Sequence, residues 1–150
     1  MQPFVYISSD HTGRSLAKEL ANHLNSEYSV EIIGEDLYSP TDDYPIFAQL
    51  MAKAVLAHPG SKGILICGSA QGVSVAANKF DGIRAGIGFS ILAAVNGRRD
   101  DDLNILCLPA NIPVSDQPLE IVRGFLNTEF KGVARYNRRL KEISEIETSN

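Results

Sequence analysis

Two short stretches carry residue types able to do chemistry. In Gly63-Ile64-Leu65-Ile66-Cys67-Gly68-Ser69-Ala70-Gln71-Gly72, an apolar run ends at a thiol and passes through small residues into a second apolar segment that reaches Asn78 and Lys79. A cysteine so placed is either a nucleophile or base, or a small buried hydrophobe. Gly68, Ser69, Ala70 and Gly72 keep side chains clear, so the amides of this turn and of the following helix start can face an anion. The second stretch, Ser9-Asp10-His11-Thr12-Gly13, offers a carboxylate and an imidazole. Its plainer reading is Asp10 capping a helix and His11 exposed in a loop. Cys107 lies in Ile105-Leu106-Cys107-Leu108, followed by Pro109-Ala110-Asn111-Ile112-Pro113 with no glycine cradle, and reads as core.

The elements that must position these residues follow from periodicity. The run before Cys67 has no polar alternation, which suits a strand buried on both faces and hence a parallel sheet covered by helices. Cys67 then falls at the carboxyl end of a central strand, where open α/β sheets bind ligands. Other strands are expected at Phe4–Ser8, Val30–Ile33, Ile83–Gly88 and Ile105–Leu108. Leu16, Leu20 and Leu24 mark a first helix; Pro45 starts another, with Phe47, Leu50, Met51, Ala54 and Val55 on its stripe, ending at His58-Pro59-Gly60. A short helix to Lys79, one over Ile91–Asn96, one capped by Ser115 or Asp116 with Pro118 in its first turn, and a last one over Ala134–Glu147 complete the pattern. This predicts an α/β fold, a Rossmann-like three-layer sandwich with a five-stranded, mainly parallel sheet and helices on both faces. Along one edge it would gather Ser8–His11, Cys67–Gly72 and Gly88–Ile91.

At 150 residues the chain has the size of one domain, residues 1–150. Two cysteines without a pairing framework or metal-type spacing suit a reducing compartment, so a cytoplasmic location is expected. No basic region with a signal-length apolar stretch opens the chain, and no apolar run reaches the ~18 residues of a membrane span. A net charge of −4 argues against nucleic acid as the main partner. A small anion needs only local positive groups, and Arg135, Arg138, Arg139 and Lys141 form such a cluster, which on its own also reads as a solvated helix face.

These residues resemble the ribose-5-phosphate isomerase B family, which includes the galactose-6-phosphate isomerase subunits. Ser9-Asp10-His11-Thr12-Gly13 is similar to the family's first-strand turn and Thr41-Asp42-Asp43-Tyr44-Pro45 to its Asp-Tyr-Pro loop. Gly63 to Lys79 resembles its Ile-Cys-Gly-Thr/Ser-Gly-x-Gly…Ala-Ala-Asn-Lys segment, and Gly82-Ile83-Arg84-Ala85 matches too. The resemblance spans nearly the whole chain. It implies aldose–ketose isomerisation of a sugar phosphate through a cis-enediolate, with no metal or organic cofactor, in dimers whose sites borrow residues from the partner chain.

By that resemblance Cys67 is the base; a free thiol pKa of about 8.5 allows the role when amides or cations favour the thiolate. Amides from Gly68, Ala70, Gln71 and Gly72 hold the developing oxyanion, while Ser69 relays protons between oxygens. Asp10 and Tyr44 handle sugar hydroxyls or the ring oxygen, Asn78 shapes the cradle, and His11, Arg135 and Arg139 contact phosphate. Asp100, with Asp101 beside it, stands where many members carry a ring-opening histidine. Asn111 stands where they carry an arginine, Tyr136 where they carry a histidine, and Ala70 replaces a cradle glycine; Arg98 or Arg99 are candidates to compensate for the lost arginine. Three functions remain in competition: ribose 5-phosphate isomerisation, isomerisation of another phosphorylated sugar such as a hexose 6-phosphate, and non-catalytic sugar-phosphate binding.

Overall fold

The computed structural model describes residues 2–150. Among them five strands and six helices follow one another as β1 (Val5–Ser9), α1 (Arg14–Leu24), β2 (Val30–Ile32), α2 (Tyr44–Ala57), β3 (Lys62–Cys67), α3 (Gln71–Ala77), β4 (Ala85–Ile87), α4 (Ile91–Asp101), β5 (Ile105–Pro109), α5 (Pro118–Leu126) and α6 (Ala134–Ser149). Short 3-10 turns at His11–Gly13 and Glu35–Leu37 lead towards α1 and α2.

The sheet order is β2-β1-β3-β5-β4, and every pairing is parallel rather than mostly so. The chain moves from β1 outward to β2, then crosses back to place β3 on the other side of β1. The order therefore reverses between β1 and β3, the crevice where doubly wound sheets take ligands. Successive residues of β3 face opposite layers. Ile64 and Ile66 pack with α1 residues Leu20 and Leu24 and α5 residues Ile121 and Phe125, whereas Leu65 and Cys67 pack with α2 residues Phe47 and Met51 and α3 residues Val73 and Ala77. Both faces being covered explains the unbroken apolar run in the sequence.

Local chemistry sets the helix ends, and in two places corrects the sequence-based expectation. The helix expected to stop near Asn96 runs on to Asp101. Ser90 caps its start by accepting from the Ala93 amide (3.1 Å), and Arg98, buried at its end, donates to the Asp102 carboxylate and to the Leu103 carbonyl (3.1 Å). Cations at a helix carboxyl end complement its dipole, and Asp102 closes the helix in the left-handed region at φ 49°. Neither Ser115 nor Asp116, the two residues expected to cap α5, does so: Asp116 accepts from the Ile91 amide (2.8 Å) at the start of α4, and Gln117 holds the α5 cap position without a side-chain bond. The third correction concerns the edge. β4 pairs outside β5, so Gly88–Ile91 stands one strand away from Cys67, and the end of β5 takes the adjacent place. No helix among the described residues is long and apolar enough to cross a membrane.

Gly13 joins the fold to the site, because a methyl built there would lie 2.5 Å from Ile66 Cγ2 and 3.0 Å from Ser9 Cβ. Gly13→Ala is expected to destabilise the protein by about 1–3 kcal/mol through overpacking, read as a lower urea midpoint with an unchanged slope.

Candidate active site

Strand register brings the two chemical stretches together. β1 places Ser9 beside Ile66, and β5 places Pro109 beside Cys67. The ladders continue past the strands: the Asp10 amide donates to the Ile66 carbonyl (3.2 Å), Ala110 to Cys67 (2.8 Å) and Asn111 to Gly68 (2.9 Å). The Cys67 turn is thus clamped on both sides, by the Asp10–Gly13 turn and by Ala110-Asn111.

Cys67 is 4% exposed and points into the α2/α3 layer, with its strand end opening onto the turn. Cys107 faces the same layer two residues deeper and is fully buried, and that burial pushes its thiol well above the ordinary range. It is core, as its surroundings in the sequence imply. Ala70 is the cradle's strained residue. It sits at φ 64°, a region a non-glycine enters at a cost of about 1–2 kcal/mol. Its methyl is buried with Cys67 and Val73, and its carbonyl accepts from the Ser74 amide (3.2 Å), which starts α3. The Ser69 hydroxyl accepts from the Gln71 amide (3.3 Å). Gly72 lies directly under Tyr44: a methyl there would fall 2.5 Å from Tyr44 Cζ. The start of α2, fixed by Pro45 in its first turn, therefore puts the Tyr44 ring over the start of α3.

Asp10 is buried and does cap its turn, accepting from the Thr12 amide (3.0 Å) and hydroxyl (2.5 Å). His11 Nδ1 lies 2.8 Å from Asp42 Oδ1, an oxygen that also accepts from the His11 amide (2.9 Å). The hydrogen bond to Asp42 is the main cause that raises the His11 pKa, with the charge of Asp10 adding to it. Desolvation works against ionising Asp42, but the bonds from His11 and Ser39 outweigh it and hold this carboxyl below its usual value. Asp10, His11 and Asp42 offer ligand-type atoms within 4.8 Å of one another, the spacing of a cation site. Within that group His11 Nδ1 and Asp42 Oδ1 bond each other and Asp10 Oδ1 accepts from Thr12, so these atoms make an ion pair and a cap.

The remaining candidates are not brought to Cys67 within one chain. α4 starts at the carboxyl edge and runs back for eleven residues, about 16 Å, so Asp100 and Asp101 stand at the opposite edge. There Asp100 accepts from Arg99 Nε (2.6 Å) and Nη2 (2.9 Å), and this pairing, aided by the Tyr136 hydroxyl, holds it below the usual carboxylate range. Arg135 Nη2 donates to the same Tyr136 hydroxyl (3.0 Å) and lies over its ring, with Arg139 one turn further along α6. Asn78 ends α3, about 10 Å from the cradle by the rise of that helix. Its amide is spent on β4, donating to the Ala85 carbonyl (2.9 Å) and accepting from the Ala85 amide (2.8 Å). Asn78 therefore stitches α3 to the sheet rather than lining the cradle of its own chain. Asn78, Arg84, Asp101 and Ile143 line a separate groove of about 730 Å³.

Sequence reasoning gave no role to two neighbours, Thr12 and Asp42, which bind Asp10 and His11. Asn111, which the sequence analysis did single out, has its side-chain nitrogen 3.1 Å from where a Gly68 methyl would be. Asp42 sits 31 positions from His11, beyond any local pattern.

A family model described as Ribose/Galactose Isomerase matches residues 5–143. The probable ribose-5-phosphate isomerase B of Mycoplasma pneumoniae is 40% identical over 144 residues, covering 95% of this chain and 94% of that protein. The ribose-5-phosphate isomerase B of Mycobacterium tuberculosis is 31% identical over 147 residues, covering 97% and 91%. Among solved structures, ribose-5-phosphate isomerase B from Mycoplasma genitalium with bound ribulose-5-phosphate superposes with a TM-score of 0.91 at 36% identity, covering 100% of this chain and 99% of that one.

Gly72→Ala is expected to push the Tyr44 ring off the start of α3. Turnover at limiting substrate should fall roughly ten- to hundred-fold, with little change in the thermal midpoint because the ring is partly exposed and can swing outward.

Proposed function

The chain belongs to the ribose/galactose isomerase family, and from that premise we propose that it interconverts ribose 5-phosphate and ribulose 5-phosphate, with Cys67 as the base. As a member it is an aldose–ketose isomerase of sugar phosphates. The observation that carries the assignment to Cys67 is its place at the β1/β3 switch point, clamped between the Asp10 turn and Asn111.

The reaction moves a hydrogen between neighbouring carbons and leaves the substrate's oxidation state unchanged overall. The Cys67 thiolate takes the proton from the carbon beside the carbonyl, and the freed electron pair forms the carbon–carbon double bond of a cis-enediolate. Negative charge gathers on the former carbonyl oxygen. The amides of Gly68, Ala70 and Gly72 meet it in a turn where the first helical N–H groups lack intrahelical partners, with the Gln71 amide donating to the Ser69 hydroxyl. Ser69 passes a proton between the two oxygens, and the thiol returns its proton to the adjacent carbon from the same face. Asp10 and Tyr44 hold the sugar hydroxyls, and His11 meets the phosphate.

The other proposed residues reach this site from a second copy. Asp100, Asp101, Arg135, Arg139 and Asn78 lie away from Cys67 in one chain, and a twofold dimer can set the far edge of one protomer against the cradle of its partner. Val75 on α3 is 61% exposed and Leu92 on α4 67%, apolar side chains that such an interface would cover. Asp100, paired with Arg99 and held ionised, suits a proton acceptor for the anomeric hydroxyl during ring opening better than a donor. Two free cysteines support a reducing, cytoplasmic setting. One observation favours a second substrate: Asn111, short and neutral, lies beside Gly68 where an arginine is usual in the family, which loosens that end of the site for a hexose 6-phosphate.

Wild-type protein in EDTA should convert ribose 5-phosphate to ribulose 5-phosphate, and Cys67→Ala should lose roughly 10²- to 10⁴-fold in kcat. A better kcat/KM for a hexose 6-phosphate would select the second substrate, and phosphate-dependent thermal stabilisation with no turnover of any sugar phosphate would mark a binding protein. Mixing Cys67→Ala with Asp100→Ala should restore about a quarter of wild-type activity, because half the dimers then carry one intact site. If each site is built within one chain, mixing restores nothing.

A further inference from the structure

We propose that Asp42 is a positioning residue that sets the tautomer and charge of His11, so that Nε2, on the far side of the ring, donates to the phosphate of the substrate. The inference deepens the sugar-phosphate isomerase reading and rests on it.

The argument starts from donors and acceptors. The Asp42 side chain is 5% exposed, and its two oxygens take three donors: Oδ1 accepts from the His11 amide (2.9 Å) and faces Nδ1 (2.8 Å), while Oδ2 accepts from the Ser39 amide (3.1 Å). A carboxylate only accepts, so Nδ1 must carry a hydrogen. That leaves two states of the ring. The neutral ring presents a lone pair at Nε2 and repels a phosphate oxygen. The imidazolium presents Nε2–H and can donate to it in a charge-assisted bond. Only the charged ring binds, and Asp42 both permits that form and supplies its counter-charge.

Two carboxylates face His11: Asp42 from the loop before α2, and Asp10 from its own turn, already committed to Thr12. Both favour the imidazolium, and the bond from Asp42 is the larger cause. Because the His11 pKa is raised, the charged ring persists to higher pH than in a free histidine and is lost as pH rises through the raised value. Substrate affinity should follow the same course, strong below that value and weaker above it. The position fits this role, since the His11 turn borders the Cys67 cradle and Thr12 Oγ1 lies 3.7 Å from where a Gly68 methyl would be.

The test is Asp42→Asn, which keeps an oxygen for the His11 amide but removes the charge. In the ligand-free protein, the His11 ring should titrate at lower pH than in wild type by NMR, and inorganic phosphate should shift its signal less at about pH 8. In the isomerase assay KM for the sugar phosphate should rise roughly ten- to hundred-fold at about pH 8 with kcat nearly unchanged, and should converge on wild type near pH 5, where both rings are charged. An unchanged His11 titration overturns the proposal. So does a loss spread equally over kcat and KM at every pH, since that is the mark of a displaced loop. Wild-type protein inert towards every sugar phosphate would sink the isomerase reading, while the NMR titration would still decide whether Asp42 governs His11.

Discussion

Two ladders of parallel hydrogen bonds, β1 to β3 and β3 to β5, hold Ser9 level with Ile66 and Pro109 level with Cys67. The chemistry of the chain depends on that alignment. A parallel sheet delivers the carboxyl ends of its strands to one edge, and the reversal of order between β1 and β3 opens a crevice there. A slip of one residue in β3 would turn Cys67 towards α1 and α5 and put Ile66 in its place. The full burial of Ile64, Leu65 and Ile66 between two helical layers opposes such a slip, so the core fixes the direction of the thiol.

Close packing around the turns carries this order into the site. Gly13 lets its turn lie against Ile66, Gly68 leaves room for Asn111 and Thr12, and Gly72 admits the Tyr44 ring. In each case the missing Cβ allows another chain segment to approach. Ala70 departs from that pattern by holding a left-handed conformation with its methyl buried, so burial beside Cys67 and Val73 offsets part of a backbone cost a glycine would avoid.

Charge is divided between the two edges. The cradle carries Asp10 and Asp42, and its one titratable positive group in this chain's turn is His11, paired with Asp42. Arg99, Arg135 and Arg139 lie along the end of α4 and the start of α6. Near the Cys67 turn the chain therefore offers an anion few cations of its own. In a chain of net charge −4, these basic side chains are gathered at the edge away from Cys67.

The sequence by itself determined the order of strands and helices, the layered α/β class and the place of Cys67 at the carboxyl end of a central strand, because these rest on apolar periodicity and on residues adjacent in the chain. Family motifs added the Asp10 turn and Tyr44. The true length of α4, the transfer of Asp116 from α5 to α4, and the side of the sheet on which β4 pairs came only from tertiary structure, since each depends on contacts between distant segments. The same holds for the bond between His11 and Asp42, the engagement of Asn78 with β4, and the distance between Asp100 and Cys67. A short polar side chain acquires its role from what the fold places across from it, and local spacing carries no record of that partner.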